Sequence, residues 1–236
     1  MIVVILPTYN ERDNLPGMVD ALMQIAGIHL LVVDDGSPDG TGTLADELAS
    51  THGGRLHVLH REGQRGLGRS YIDGMQEALR GGATVVCQMD ADFSHDPAEL
   101  PRLIEAAGDA DLVIGSRYIP GGTLHNWPWH RVALSAFANW YVRAITRLPV
   151  RDSTSGFRVW RSELLSRLPL RQVVSDGYAF QVEMAWHARA AGARIREVPI
   201  RFVERQQGTS KLSGGVILES ALLPWRLVAR PRGRRE

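Results

Sequence analysis

A chain of 236 residues, 44% hydrophobic and 22% charged, can bury one sizeable core. Its net charge of +1 gives no basis for nucleic-acid binding, and no run reaches the ~18 consecutive apolar residues of a membrane span. The single cysteine, Cys87, excludes an internal disulfide and reads as a small buried hydrophobe in a reducing compartment.

The opening MIVVILPTYN lacks a basic n-region and reads as a first strand rather than a signal peptide. Strands are predicted over Ile2–Leu6, His29–Val33, Arg55–Leu59, Thr84–Met89 and Asp111–Gly115, with helices over Asn14–Ile25, Gly42–Ser50, Leu67–Leu79 and Pro97–Ala107 between them. Repeated strand–helix units imply an α/β domain with a mostly parallel sheet and helices on both faces. Ligands of such sheets bind beyond the carboxyl ends of the strands. Those ends carry Pro7-Thr8-Tyr9-Asn10-Glu11, then Asp34-Asp35-Gly36-Ser37-Pro38-Asp39-Gly40, then Asp90-Ala91-Asp92, then Ser116-Arg117-Tyr118. Each alone is compatible with turn chemistry, but four at one edge favour a shared site.

Beyond Arg117 the pattern changes. IPGGTLHNWPWH reads as a loop, Arg131–Leu148 as a helix, SGFRVWR as strand-like, Tyr178–Ala191 as a helix and Arg194–Phe202 as a strand. ERQQGTSKLSGG reads as a mobile loop, Val216–Val228 as an apolar segment interrupted by Pro224, and 229–236 as a basic tail after a single domain over 1–228. In Arg131–Leu148, Val132, Ala136, Phe137, Trp140, Tyr141, Ala144, Ile145 and Leu148 share one face. Arg131, Ser135, Asn139, Arg143 and Arg147 share the opposite one. The helix is either packed on the core with a solvated basic side or laid on a membrane surface with its cations toward headgroups.

Asp90 and Asp92, at positions i and i+2 of an extended segment, can aim both carboxylates at one point. Their repulsion is relieved by a hard divalent cation, which takes oxygen ligands and leaves positions for substrate phosphates. The competing role, capping the next helix, suits Asp96-Pro97 better. Histidines such as His60, His125 and His130 show no metal-binding spacing and read as loop or surface residues. Lys211 is the only lysine among 27 basic residues, which marks it for a task that suits a compact ammonium.

PTYNERDNL, VVDDGSPDGT, MDADFSHDP and IGSRY resemble the nucleotide-sugar domain of family 2 glycosyltransferases with the GT-A fold. RGLGRSYIDG, NWPWHR, STSGFRVWR, GYAFQVE and ERQQGTSKLS are similar to the polyprenol-phosphate mannosyltransferases, in particular the actinobacterial form, and the likeness runs from residue 2 to about 228. The resemblance implies that Pro7, Tyr9 and Glu11 line a guanosine pocket and that Val33 and Asp35 hold base and ribose. It implies that Asp90 and Asp92 hold the donor and an Mg2+ or Mn2+ ion, with the Ala91 backbone close by. Ser94 stands where the family often carries a glutamine, and its hydroxyl reaches less far. Arg117 would face the acceptor phosphate, and Arg205 and Lys211 would embrace the diphosphate and acceptor phosphate from a closing loop.

The implied reaction moves mannose from GDP-mannose to a polyprenyl monophosphate with inversion. The implied setting is cytoplasmic, peripheral on the cytoplasmic face of the plasma membrane, with room for a separate membrane-anchoring subunit as partner. Two rivals stand beside it. One is a polyprenyl-phosphate glucosyl- or aminoarabinose-type transferase using a UDP-sugar. The other is a non-catalytic nucleotide-sugar-binding module, which the phosphate-handling groups on both sides argue against.

Overall fold

The computed structural model describes residues 1–204 and the helix ending at residue 229, with side chains in that helix described from residue 221. Its elements in chain order are β1 (Ile2–Thr8), α1 (Leu15–Met23), β2 (Ile28–Asp34), α2 (Thr41–Thr51), β3 (Leu56–His60), α3 (Leu67–Arg80) and β4 (Val85–Gln88). There follow α4 (Leu100–Ala106), β5 (Leu112–Ser116), β6 (Thr123–His125), α5 (Trp129–Thr146), β7 (Arg158–Arg161), α6 (Ser162–Leu165), α7 (Gly177–Ala190), β8 (Ile195–Pro199), β9 (Arg201–Val203) and α8 (Gly214–Ala229).

The main sheet has seven strands in the order β3-β2-β1-β4-β7-β5-β8. Every pairing is parallel except those of β7, which runs antiparallel between β4 and β5. The alternation of side chains in β1 and β2 divides the core. Val3, Ile5, Leu31 and Val33 face Tyr71 and Met75 of α3, Phe180 and Met184 of α7, and Leu223 and Leu227 of α8. Val4, Leu6, Leu30 and Val32 face Leu15 and Met18 of α1, Ala45 of α2, and Leu100 and Leu103 of α4. A sheet covered on both faces needs near-continuous apolar strands, which is what the sequence supplies.

α3 sits unusually close to the sheet. A Cβ on Gly74 would stand 2.7 Å from Ile5 Cγ2 and 3.0 Å from Val33 Cγ2, so only glycine permits this approach. Asp96 caps the turn that leads into α4, its side chain accepting from the Ala98 amide at 2.9 Å, as the sequence predicts.

Three expectations need correction. Arg194–Phe202 is two strands. The chain pairs with β5 as far as Pro199, then leaves the sheet edge so that β9 joins β6 in a second, two-stranded sheet. The stretch IPGGTLHNWPWH, read as loop, supplies that partner strand and the first turn of α5. The segment expected as a loop up to Gly215 is already helical at Gly214, while 205–213 and 230–236, which include the basic tail, lie outside the described residues.

Candidate functional site

β1 is flanked by β2 on one side and β4 on the other, so the chain order reverses there, the usual position for a ligand crevice in such a sheet. A cleft of about 760 Å³ opens at that point and extends past β7 to the end of β5. Pro7, Tyr9, Glu11, Asp35, Asp90, Ala91, Asp92, Ser94 and Arg117 all line it, as the sequence reading places them. Val33 does not: its side chain is fully buried in the core beneath α3. Arg205 and Lys211 lie outside the described residues.

The cleft's first corner is built by β1, β2 and β3. After β1 the chain turns at Asn10, whose φ of 60° is a left-handed conformation that asparagine tolerates. The Asn10 amide donates to Ser37 Oγ at 3.1 Å, and the Glu11 amide to Thr41 Oγ1 at 3.0 Å, so the two loops hold each other. In the second loop the aspartates divide their work. Asp34 accepts from Thr8 and the Ser37 amide, and Asp39 from Thr41 and the Arg12 amide, which is ordinary turn chemistry. Asp35 instead turns to the cleft, where it accepts from the Gly66 amide at 2.8 Å and from Arg61. Arg61 also reaches Asp73 at 2.7 Å. Tyr9 carries the Arg65 guanidinium over its ring at 4.7 Å, and Arg65 donates to the Tyr9 hydroxyl at 2.7 Å. Neither Arg61 nor Arg65 is singled out by the sequence reading, although REGQRGLG follows the third strand end directly.

The second corner follows β4. The strand ends at Gln88, so Asp90 and Asp92 are not strand residues. They stand on a bend in which Phe93 takes a φ of 58°. Both carboxylates therefore line the cleft from the loop past the strand rather than by strand alternation. Asp90 Oδ1 accepts from the buried Tyr71 hydroxyl at 2.7 Å, and Asp92 Oδ1 from the Ser94 amide at 3.0 Å. Ser94 is itself fixed, its carbonyl accepting from the Val203 amide. His95, missed by the sequence reading, is buried between the rings of Phe157 and Phe202 at 5.1 and 5.3 Å. Burial pushes its pKa below the usual histidine value even against Asp90 and Asp92, so it is neutral at pH 7.

The donor set at this corner is hard and oxygen-rich. Among the described residues no three histidine, cysteine or carboxylate side chains form a complete metal cage. That chemistry fits a divalent cation which takes its remaining ligands from phosphate and water, as Mg2+ and Mn2+ do at phosphate sites.

The third corner follows β5. Arg117 is buried and forked onto Asp152, with Nε and Nη2 each 2.7 Å from a carboxylate oxygen, and Nη2 also reaches Thr154 Oγ1 at 2.8 Å. Burial alone would raise the Asp152 carboxyl, but the Arg117 charge and hydrogen bonds outweigh it and hold the pKa below the ordinary value. Rings of Phe202, Tyr118 and Trp127 surround the guanidinium at 5.1, 5.5 and 5.9 Å. Arg131 stands over Trp127 at 4.3 Å and donates to Glu204 at 2.6 Å, so this arginine belongs to the cleft and not to a solvated helix face. Asp152 is the partner the sequence does not disclose, because it lies 35 residues from Arg117.

The loop 153–156 forms the wall between the second and third corners. Fully buried Arg158 gathers it by donating to the carbonyls of Ser155, Gln181 and Ser153 at 2.8, 2.8 and 2.7 Å. Asn139 of α5 ties down the same loop through Ser153 and Thr154. Asn139, Val142 and Thr146 are thus the buried side of α5, and Leu134, Phe137 and Trp140 are 64%, 58% and 56% exposed. The core-packed reading of this helix, with its apolar face inward, is not what the chain adopts. Alongside lies α8, whose Trp225 indole donates to the Tyr141 hydroxyl and whose Leu222, Trp225 and Val228 are exposed too. No described helix is long and apolar enough to cross a membrane.

The family model of Glycosyl transferase family 2 matches residues 3–173. The chain is 50% identical over 219 residues to a polyprenol monophosphomannose synthase of Mycolicibacterium smegmatis, covering 92% of this chain and 83% of that one. It is 45% identical over 237 residues to an undecaprenyl-phosphate mannosyltransferase of Micrococcus luteus, covering 99% and 97%. Among solved structures, glucosyl-3-phosphoglycerate synthase of Mycobacterium tuberculosis superposes with a TM-score of 0.72 at 19% identity, covering 98% of this chain and 79% of that one, a likeness of fold alone. The chain belongs to glycosyl transferase family 2.

Proposed function

We propose that this protein transfers mannose from GDP-mannose to the phosphate of a polyprenyl monophosphate, with inversion, giving polyprenyl-phosphate mannose and GDP. One observation carries the reading. A single cleft holds the Asp90/Asp92 pair at one end and the aromatic-walled arginines Arg117 and Arg131 at the other. An enzyme that joins a nucleotide-sugar to a phosphate acceptor needs both. The relatives' names supply the sugar and the lipid class.

Tyr9, Glu11 and Asp35 line the corner assigned to the guanosine, with a ring for stacking and acceptors for base and ribose donors. Asp90 and Asp92, with Ser94 at the same corner, would hold a divalent ion, which would supply neutralisation of the diphosphate as it departs. The acceptor phosphate needs no general base, because its second pKa is ~6 and it is largely dianionic at neutral pH. The chain's task is therefore to orient and to balance charge. Asp152 and Thr154 occupy Nε and Nη2 of Arg117 and fix its plane, so the guanidinium meets an incoming phosphate without reorganising. Arg131 adds a second cation three residues into α5. Arg205 and Lys211 are assigned by resemblance to the two phosphates.

α5 leads directly from this corner to the exposed Leu134, Phe137 and Trp140, beside Leu222, Trp225 and Val228 of α8. A helix that carries an acceptor-side arginine at its start and an unpartnered apolar face along its length suits a bilayer in which the acceptor's tail is dissolved. We assign that face to peripheral membrane contact.

The test is a radiolabelled transfer assay that offers GDP-mannose, GDP-glucose and UDP-glucose with polyprenyl phosphate, with and without chelator, on wild type and Asp92→Asn. Transfer from GDP-mannose alone is expected, lost in chelator and reduced by orders of magnitude in the variant while its Tm holds. Preference for a UDP-sugar, or undiminished transfer in chelator, would overturn the donor or the metal assignment respectively.

A further inference from the structure

Tyr71 is fully buried on α3, in the core beneath the cleft, and its ring lies parallel to that of Phe180 on α7 with centroids 5.9 Å apart. A phenylalanine would fill the same space. The difference is a hydroxyl, and burying one without a partner is costly. Here its hydrogen goes to Asp90 Oδ1 at 2.7 Å.

The placement of that hydroxyl is determined by the fold around it. Gly74, one turn further along α3, seats the helix against Ile5 and Val33 at a depth no other residue allows. Gly68, one turn earlier, does the same toward α7, where a Cβ would stand 2.7 Å from the Ser175 carbonyl. The Gly68 amide is also held by the Asp176 side chain at 2.6 Å. α3 is thus fixed at both ends of the turn that carries Tyr71. Asp90, by contrast, stands just beyond the end of β4, its amide donating to His95 Nδ1 at 3.5 Å.

We infer that Tyr71 is a positioning residue for the Asp90 carboxylate. Its hydroxyl holds one carboxylate oxygen against the core and so fixes the direction in which Asp90 meets the donor's cation and diphosphate. The inference rests on the function proposed above, since it gives Asp90 a ligand to meet. Groups that orient a metal-binding side chain change metal affinity ~10–100-fold when removed.

The experiment uses the full chain and the Tyr71→Phe variant, which keeps the ring and its stacking. Mn2+ binding is followed by electron paramagnetic resonance with GDP present, GDP binding is measured in chelator, and transfer kinetics and Tm are recorded for both. The expected result is a 10–100-fold weaker Mn2+ Kd and a kcat at least tenfold lower at saturating donor and metal. GDP affinity in chelator and acceptor KM should be unchanged, with Tm within a few degrees. Adding Tyr71→Phe to Asp90→Ala should cost no further activity, because the hydroxyl then has no side-chain acceptor to direct. An unchanged Mn2+ Kd and kcat would overturn the inference, as would parallel losses of Tm and of metal-free GDP binding, the mark of a merely structural residue. Wild-type protein that transfers no mannose to polyprenyl phosphate would overturn the proposed function instead, so the two failures are told apart by the wild-type control.

Discussion

Replacing both Phe137 and Trp140 with serine tests the membrane assignment of α5. The two rings are 58% and 56% exposed and lie tilted against one another with centroids 5.7 Å apart, so a little over half of each remains to be covered by a lipid surface. Complete burial of such a side chain contributes ~1.5–3 kcal/mol, so the exposed fractions together represent about 1.7–3.4 kcal/mol of membrane affinity. At ~1.4 kcal/mol per factor of ten, partition onto vesicles should fall roughly 15- to 300-fold. The portion already packed against the protein also disappears, and Tm should drop by no more than ~10 °C for a chain of this size. Co-sedimentation with liposomes measures the first quantity. Transfer to a long-chain acceptor in those liposomes should fall with it, and transfer to a short, water-soluble prenyl phosphate should hold, because Arg117 and Arg131 are untouched. Equal loss on both acceptors with vesicle binding unchanged would refute the reasoning.

Two further outcomes are expected. Asp152→Asn leaves Arg117 buried without its counter-charge and should cost about 3–5 kcal/mol of stability at neutral pH, read as a shifted urea midpoint. Because the folded carboxyl titrates below the ordinary aspartate value of 3.8, its contribution is complete above pH 3.8 and is lost as pH falls through the lower, folded value. The wild-type stability curve should therefore slope in that acid window, and the variant's should slope less. If Lys211 holds the role proposed for it, Lys211→Ala should lower kcat more than donor affinity, because that role places its charge opposite the departing GDP, and steady-state kinetics with GDP binding separates the two. Lys211→Arg should restore only part of the loss, a plain measure of what the compact ammonium supplies.

The repeating strand–helix units and the polar ends of β1, β2, β4 and β5 were legible because each is written in local periodicity and in turn residues. What was not legible is what joins distant segments. Nothing near SGFRVWR says that it will run antiparallel between β4 and β5, and nothing near Arg117 points to Asp152. Asp90 and Asp92 line one cleft as expected, but from the loop past β4 rather than from the strand, and the left-handed Phe93 that follows them is favoured by no propensity. For α5 the sequence placed Asn139 on the polar face and Phe137 and Trp140 on the apolar one, but the buried side is Asn139, Val142 and Thr146, with Arg143 and Arg147 exposed. A helix normally buries its apolar side, and here Asn139 and Thr146 are buried because the loop 153–156 and the helix's own carbonyls satisfy them.

The reversed strand β7 also acts as a spacer. Neighbouring strands stand ~4.8 Å apart, so one inserted strand separates the ends of β4 and β5 by roughly 9–10 Å. Were β4 and β5 adjacent, the carboxylates after one and the arginine after the other would fall within ion-pair reach and cancel. Held two spacings apart from Asp90 and Asp92, Arg117 takes Asp152 as its counter-ion. Under the proposed function, the interval between them is where the hexose would lie, with its departing phosphate at one strand end and its incoming one at the other.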